Sequence, residues 1–193
     1  MLENKPDPIK FMEGKKIYLR PYEPEDSELL YRSTYNPEAM RFTGTQKLFS
    51  RSAIELYLGR IADDDSRVDM IIARQDNDQA VGEVVLNSID RINRSANIRI
   101  WLFSPEDYNM GYGSEAMLLM MRHGFGRLNL HRIELGVFAF NDRAAHVYEK
   151  LGFRKEGVVR DYLYYDNAYH DQIIMGILED EFRTLYLQEN PKF

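Results

Sequence analysis

Alternation between apolar and polar positions predicts β-strands in the first half of the chain. Period-two runs bounded by turn residues are typical of strands. Ile17–Arg20 and 96–103 alternate in this way, and Val68–Arg74 and 80–89, which lie between turns, are also predicted to be strands. Only the polar segments 75–79 and 90–94 separate the last three runs, and short turns join neighbouring antiparallel strands. The pattern therefore predicts an antiparallel meander in the middle of the chain.

Helical patterns flank this meander. Pro24 and the two acids that follow it open a first helix, because proline and carboxylates suit a first helical turn, and a second helix begins near Ser50. Beyond the meander we predict a helix, a strand, a helix, a hairpin and a last helix: 114–122, 132–139, 141–151, 158–165 with 169–178, and from Glu179. The order predicts a mixed α/β (α+β) fold whose mostly antiparallel sheet is flanked by helices.

The length of the chain indicates one domain. A chain of 193 residues is within the usual range for a single domain and buries a sizeable core without a disulfide or a metal. We expect a flexible N-terminal arm at 1–13, one domain at 14–182 and a C-terminal tail at 183–193. The arm is charged and lacks the apolar region of a signal peptide, so a cytoplasmic protein is expected.

The composition excludes several kinds of site. The chain has no cysteine, which rules out disulfides, thiolate zinc sites and cysteine nucleophiles. Its formal net charge of −6 argues against nucleic acid as a partner, and no apolar run is long enough to span a membrane. The four histidines lack the HExxH or facing i, i+4 spacing of a metal site, so no metal is expected.

The segment GYGSEA at 111–116 is the sharpest local motif. Glycine allows the backbone to approach a ligand closely, and the start of the following helix suits a pyrophosphate. A plain turn into a helix would use the same residues. The string also fits the dinucleotide fingerprint G-x-G-x-x-A, but residues 104–110 separate it from the preceding strand, and Glu134 begins the next strand instead of ending it. An NAD(P)-dependent oxidoreductase is therefore a remote alternative.

The helix predicted at 141–151 carries a tyrosine on its apolar face. Asn141 suits the N-cap of this helix, and Gly152 follows its last residue. Tyr148 lies one helical turn after Ala144 on the apolar face. An aromatic residue on such a face usually packs in the core with its polar end at the surface. Tyr148 is therefore either a core residue or a phenol placed for chemistry.

Taken together, GYGSEA and NDRAAHVYEKLGF at 141–153 resemble the GNAT acetyltransferases, and more narrowly the branch with ribosomal-protein N-terminal and spermidine acetyltransferases. The resemblance runs from about Ile17 to about Phe182 and is strongest over 80–178. Neither motif is specific alone, whereas their joint occurrence at this separation is. The resemblance implies a GNAT fold whose sheet is splayed between its fourth and fifth strands, and an N-acetyltransferase with acetyl-CoA as cosubstrate.

The resemblance also implies roles for individual residues. Backbone groups of a strand end and the glycine loop, with the helix-starting asparagine, would bind acetyl-CoA: Leu102, Phe103, Met110, Gly111, Tyr112, Gly113, Ser114 and Asn141. Tyr148 would protonate the departing thiolate. A thiol has a pKa near 8.5, so its anion is a tolerable leaving group that improves when a phenol donates a proton.

The resemblance does not identify a general base in this chain. Similar proteins often have glutamate where this chain has Asn97, and Glu83 on the neighbouring strand is the remaining catalytic candidate, with its face of the sheet undecided. A lysine-like amine with a pKa near 10.4 is neutral only about 0.04% of the time at pH 7, whereas an α-amine with a pKa of 7.7–8 is neutral roughly 10–15% of the time. A weakly equipped site therefore favours an α-amine.

We expect acetyl transfer to a primary amine by direct attack, without an acyl-enzyme. A peptide N-terminus, a polyamine and other small amines all fit the sequence as acceptors, and a homodimer is compatible with it. Because the usual acid is missing at Asn97, a non-catalytic acetyl-CoA sensor or scaffold stays open as the alternative.

Overall fold

Eight strands form one sheet in the computed structural model, which describes residues 7–187. In chain order they are β1 (Met12–Glu13), β2 (Ile17–Arg20), β3 (Val68–Arg74), β4 (Ala80–Asp90), β5 (Ser95–Leu102), β6 (Arg132–Phe138), β7 (Arg154–Tyr165) and β8 (Ala168–Leu178). Their order across the sheet is β1-β2-β3-β4-β5-β6-β8-β7, and all neighbours are antiparallel except β5 and β6. The predicted meander is β3 to β5 and the predicted hairpin is β7 with β8, so the mixed fold with a mostly antiparallel sheet is confirmed.

Six helices flank the sheet within the described residues. They are α1 (Asp26–Ser33), α2 (Pro37–Thr43), α3 (Arg51–Ile61), α4 (Tyr112–Gly126), α5 (Asp142–Lys150) and α6 (Glu179–Tyr186). The sequence pattern does not predict α2. This short helix depends on its ends: Asn36 Oδ1 accepts the N–H groups of Glu38 and Ala39 at 3.0 and 3.2 Å, and Gly44 ends the helix at φ +67°.

The expected arm and tail are partly described. Met12 and Glu13 of the arm pair with Leu19 and Tyr18 of β2, and α6 continues beyond residue 182 to Tyr186. Residues 1–6 of the arm and 188–193 of the tail lie outside the described part of the chain.

The two faces of the sheet are covered by different helices. α4 lies on one face, where its Met117, Met120 and Met121 are at most 1% exposed. α1 and α3 lie on the opposite face of β3 to β5, and the residues buried there are Leu30, Ile54, Ile71 and Phe103. Apolar burial is the main force that holds these layers together. It also fixes the N-terminus of α4 next to β5.

The parallel pair β5 and β6 separates soon after it forms. Residues 95–97 lie opposite 132–134, and the ladder ends at Asn97 and Glu134. Residues 98–102 and 135–138 pair with β4 and β8 on their outer sides. The sheet is therefore splayed between β5 and β6. These are the predicted fourth and fifth strands, because the sequence pattern does not predict the short strand β1, which shifts the numbering by one.

Candidate active site

The glycine loop ends where α4 begins. Gly111 is the N-cap of α4 and has φ +86°, a left-handed conformation that suits glycine. Gly113 packs closely on β5, since a Cβ there would lie 3.4 Å from Ile100 Cδ1. The first N–H groups of a helix lack intrahelical partners, and the helix dipole adds partial positive charge. The start of α4 is therefore suited to an anionic pyrophosphate.

A lysine that the sequence motifs do not reveal lies beside this loop. Lys16 Nζ donates to the carbonyl oxygen of Met110 at 2.8 Å, and a Cβ on Gly111 would lie 3.5 Å from the same nitrogen. The carboxylate of Glu115 holds the segment in place by accepting the backbone N–H groups of Lys15 and Lys16. A cation therefore stands at the anion-binding end of α4. Because Lys16 is far from the loop in sequence, no local pattern could identify it.

A cleft of about 300 Å³, named the cofactor cleft here, runs from the glycine loop past β5 to α5. Five residues predicted to bind acetyl-CoA line it: Leu102, Gly111, Gly113, Ser114 and Asn141. The other three residues do not line it. The side chains of Phe103 and Tyr112 are 7% exposed and pack in the core, whereas Met110 is 49% exposed. The N–H of Phe103 donates to Val81 O at 2.9 Å, so this N–H is already occupied.

Asn141 starts α5 and keeps its amide nitrogen available. Its Oδ1 accepts the N–H of Ala144 at 3.2 Å, which confirms the predicted N-cap. Within residues 7–187 its Nδ2 donates to no protein group. Because Asn141 lines the cofactor cleft, this amide can donate a hydrogen bond to a carbonyl of an extended ligand.

Tyr148 lies where two cavities meet. It lines the cofactor cleft and also a cavity of about 520 Å³ between the diverging strands β5 and β6, named the splay cavity here. Its ring contacts Phe153 edge-on at 6.2 Å between centroids, and no described residue hydrogen bonds to its hydroxyl. Burial raises the pKa of the Tyr148 phenol to about 12, so the phenol stays protonated near neutral pH.

Aromatic side chains form part of the wall of the splay cavity. Phe42 of α2 and Phe138 of β6 line it, and Phe140 stacks on both rings, at 6.4 and 5.5 Å between centroids. Of the hairpin tyrosines, Tyr162 lines the cavity. The unpaired inner edges of β5 and β6 leave backbone N–H groups that can donate to an oxygen placed between them.

The candidate base Glu83 lies on the opposite side of β4 from α4 and is 2% exposed. Its carboxylate accepts the Tyr22 hydroxyl and pairs with Arg99 Nη1 at 2.8 Å. Burial and the Glu83 charge raise the pKa of Tyr22 well above its ordinary value, so that phenol donates and does not ionise. Glu83 lines neither the cofactor cleft nor the splay cavity but a third cavity of about 460 Å³, which we name the α1–α3 cavity.

Glu134 is the carboxylate that lines the splay cavity within the described residues. It lies directly opposite Asn97, the position where similar proteins often have glutamate. Arg132 Nη2 pairs with its carboxylate at 2.9 Å. In the sequence alone Glu134 bears only on the dinucleotide alternative, because the register of the parallel strands is needed to place it beside Asn97.

Comparison with known proteins decides the family. The family model "Acetyltransferase (GNAT) domain" matches residues 16–154, well over half of the chain. This chain belongs to the GNAT acetyltransferase family. It is an acetyl-CoA-dependent N-acetyltransferase, which confirms the resemblance, the cosubstrate and the enzyme class inferred from the motifs.

Named relatives of this GNAT protein share most of its length. The spermidine N(1)-acetyltransferase of Escherichia coli (strain K12) is 32% identical over 168 residues, which cover 86% of this chain and 88% of that protein. A Bacillus subtilis (strain 168) protein whose name proposes a ribosomal N-acetyltransferase is 30% identical over 100 residues, which cover 52% of this chain and 54% of that one.

A solved structure agrees with the fold of this GNAT protein. The spermidine N-acetyltransferase of Vibrio cholerae in complex with CoA and spermine aligns with a TM-score of 0.81 at 26% identity, covering 86% of this chain and 97% of that one. The agreement excludes the dinucleotide alternative, because the glycine loop here follows an antiparallel meander and not the first strand of a doubly wound parallel sheet.

His170 of the β7–β8 hairpin has structural partners. His170 Nε2 lies 3.1 Å from Tyr165 O, and its ring contacts Phe140 at 5.0 Å. Between residues 7 and 187, no three His, Asp or Glu side chains are grouped so that they could hold a metal ion. In the same part of the chain no helix has the length and apolar character needed to cross a membrane.

Proposed function

We propose that this enzyme transfers the acetyl group of acetyl-CoA to an α-amino group by direct attack, with Tyr148 as the general acid. The observation that carries the proposal is the position of Tyr148 at the junction of the cofactor cleft and the splay cavity. A thioester that enters through the cleft and reacts in the splay cavity would have its sulfur pass this hydroxyl. The same phenol is conspicuous because no described residue hydrogen bonds to it.

The cofactor would be held mainly by backbone groups. The N–H groups of Met110, Gly111, Tyr112, Gly113 and Ser114 would face the pyrophosphate, with Lys16 Nζ as an added cation. Leu102 at the end of β5 and Phe103 just after it would contact the pantetheine arm. Phe103 would do so through its carbonyl only, because its N–H already donates to Val81 O. Asn141 would donate its side-chain amide to the same arm.

The reaction then balances without an acyl-enzyme. The neutral amine attacks the thioester carbonyl carbon, and a backbone N–H on the splayed strands stabilises the developing oxyanion. The carbon–sulfur bond breaks, the thiolate takes the Tyr148 proton, and the product amide loses its extra proton to solvent. The Tyr148 phenolate then recovers a proton from solvent. The burial that raises the Tyr148 pKa also raises the proton affinity of a thiolate in the same site, so the transfer between them stays feasible.

An α-amine is favoured because, within residues 7–187, no carboxylate that lines the splay cavity or the α1–α3 cavity is free to act as a general base. Asn97 cannot act as a base, and the Glu83 carboxylate is engaged by Arg99 and Tyr22. Glu134 is paired with Arg132. With its carboxylates occupied in this way, the site would depend on an amine that is already neutral in a useful fraction of molecules. The spermidine acetyltransferases among the relatives make a polyamine the second candidate acceptor.

A Tyr148→Phe variant tests the proposal. We expect the rate of CoA release to fall at least about 100-fold, within the usual contribution of a general acid, while acetyl-CoA binds with unchanged affinity. Tyr164→Phe is the matched control, because Tyr164 is 51% exposed on the hairpin and lines none of the three cavities. A rate of CoA release in Tyr148→Phe close to that of the unaltered enzyme would contradict the role of Tyr148 as the general acid.

A further inference from the structure

The α1–α3 cavity has a predominantly cationic wall. The charged side chains that line it are Lys47, Arg60, Arg67, Arg99 and Glu83. Four cations and one carboxylate thus face the same space of about 460 Å³. The excess is notable in a chain whose formal net charge is −6, because the local field here is opposite in sign to the charge of the protein as a whole.

Two of these cations are fixed by internal pairs. Arg99 pairs with Glu83 at 2.8 Å, and Arg67 forms a two-point pair with Asp69, with both distances 2.6 Å. The Tyr57 hydroxyl accepts from Arg67 at 2.8 Å and from Arg99 at 3.2 Å. These contacts hold two guanidinium groups side by side. Glu83 is thus better described as the residue that positions Arg99 than as a free base.

The other two cations have no such counter-charge. Within residues 7–187, neither Lys47 nor Arg60 has a carboxylate oxygen within 4.0 Å. Arg60 Nε donates to Leu56 O at 3.3 Å, and Lys47 lies 5.4 Å from the centre of the Phe49 ring. Both side chains are exposed at the rim. The cavity therefore keeps an excess of positive charge after its internal pairs are formed.

The α1–α3 cavity adjoins the splay cavity. Four residues line both spaces: Thr43, Thr45, Arg99 and Trp101. Thr43 and Trp101 also line the cofactor cleft, so all three spaces meet at these two residues. An acceptor whose amine reaches the thioester in the splay cavity can therefore extend its remaining groups into the α1–α3 cavity.

We infer that the acceptor is a primary amine that carries a carboxylate, an inference that rests on the proposed function. Its amine attacks the thioester, and its carboxylate lies among Lys47, Arg60 and Arg99 in the α1–α3 cavity. Guanidinium groups bind carboxylates through paired, charge-assisted hydrogen bonds. A polyamine would place a second ammonium group against the same cations and would be repelled. A free acidic amino acid and a peptide with an acidic residue next to its N-terminus share the required chemistry.

The test compares acceptors that differ only in charge. CoA release is measured with peptides that begin Ala-Glu, Ala-Gln and Ala-Lys, with free glutamate and with spermidine. We expect kcat/KM to be at least about 10-fold higher for Ala-Glu than for Ala-Lys, with Ala-Gln between them, and the difference to shrink as salt is added. Turnover of free glutamate in preference to the peptides would identify a small-molecule acceptor, and the reverse order a peptide acceptor.

Other outcomes overturn the inference. Preference for Ala-Lys would contradict an anionic acceptor but would leave acetyl transfer to an α-amine standing, whereas preference for spermidine, which has no α-amine, would also overturn the α-amine acceptor of the proposed function. If CoA is released neither with these amines nor with any other amine offered, the proposed function itself is wrong. Equal rates with all three peptides would show that the α1–α3 cavity does not receive the acceptor.

Variants at the rim locate the effect. Arg60→Gln should raise KM for the Ala-Glu peptide about 5- to 10-fold and leave KM for Ala-Gln unchanged. Arg60→Glu should raise kcat/KM for Ala-Lys. Lys155→Gln is the control, because this exposed lysine of β7 lines none of the cavities. An unchanged preference in both Arg60 variants would rule out the α1–α3 cavity as the acceptor site, since a purely structural role would not discriminate between peptides by charge.

Discussion

The cofactor side and the acceptor side of the splay are built in different ways. On the cofactor side we place backbone N–H groups and caps from two short segments: 110–114 at the start of α4, and 141–148, which runs from the N-cap of α5 almost to its end. The acceptor side is the α1–α3 cavity, which we propose receives the acceptor. It is lined by side chains from α1, α2, α3, β4 and β5, including the buried pair Glu83–Arg99. The first construction depends on local backbone geometry, and the second on contacts between distant parts of the chain. We therefore propose that cosubstrate binding depends on local backbone geometry, whereas acceptor choice depends on charged side chains.

The largest expected effect concerns the stability of the acceptor side. Arg99→Met would leave the Glu83 carboxylate, 3% exposed, with the Tyr22 hydroxyl as its remaining partner. Removing one member of a buried pair strands the other charge, and because Arg99 itself is 41% exposed we expect a loss of about 2–3 kcal/mol in the free energy of unfolding. Urea denaturation measures it.

A surface pair provides the control for this change. Arg183 pairs with Glu179 at i,i+4 and is 53% exposed, so Arg183→Met should cost at most about 0.5 kcal/mol. Equal losses in the two variants would show that Glu83–Arg99 behaves like a surface pair, and the contrast between the two sides of the splay would fail.

The next effect concerns the backbone of the cofactor side. Gly111→Ala forces a Cβ into a left-handed residue at φ +86°, which costs about 1–2 kcal/mol unless the loop moves. We expect acetyl-CoA to bind about 10-fold more weakly, as measured by calorimetry, with little change in the acceptor preference. Gly126→Ala at the other end of α4 is the control, since a Cβ there meets no atom within 4 Å.

A normal acetyl-CoA affinity in the Gly111→Ala variant would show that the glycine loop does not grip the cosubstrate. If this variant instead changed the preference between acidic and basic acceptors, cosubstrate binding and acceptor choice would not be independent.

The smallest effect is the pH profile. The neutral form of the amine reacts, so kcat/KM should rise with pH and then level off. The midpoint of the rise should lie near pH 8 for an α-amine and near 10.4 for a lysine-like amine. Tyr148 acts in its protonated form, which is lost only as the pH approaches its pKa of about 12. We therefore expect a plateau between about pH 9 and 10.5. A falling limb in this range that disappears in Tyr148→Phe would mean that the Tyr148 pKa is not raised.

The elements that sequence periodicity predicts are those with enough residues to show a period. The meander β3 to β5, the helix α4 and the hairpin β7–β8 each repeat an apolar pattern, and the structure confirms them. The seven-residue helix α2 depends on Asn36 and Gly44 at its ends, a signal too brief to stand out. Short elements of this kind are specified by caps and tertiary contacts and not by periodicity.

The candidate site divides in the same manner. The glycine loop and the α5 motif are each contiguous in sequence, so the motifs predict Gly111, Asn141 and Tyr148 as site residues, and all three line one cleft. Lys16 and Glu134 become neighbours of the site only through the packing of Lys15 and Lys16 on Glu115 and the register of β5 with β6. The face of Glu83 depends on alternation within a strand that is buried on both sides, where either face is compatible with the pattern.

A crystal structure with bound acetyl-CoA, or with an unreactive analogue of it, tests the central claim most directly. We expect the pyrophosphate to lie on the N–H groups at the start of α4, and the sulfur to lie within about 3.5 Å of the Tyr148 hydroxyl, close to hydrogen-bond range. A cosubstrate bound with its pyrophosphate away from Gly111, or with its sulfur well beyond reach of Tyr148, would contradict it.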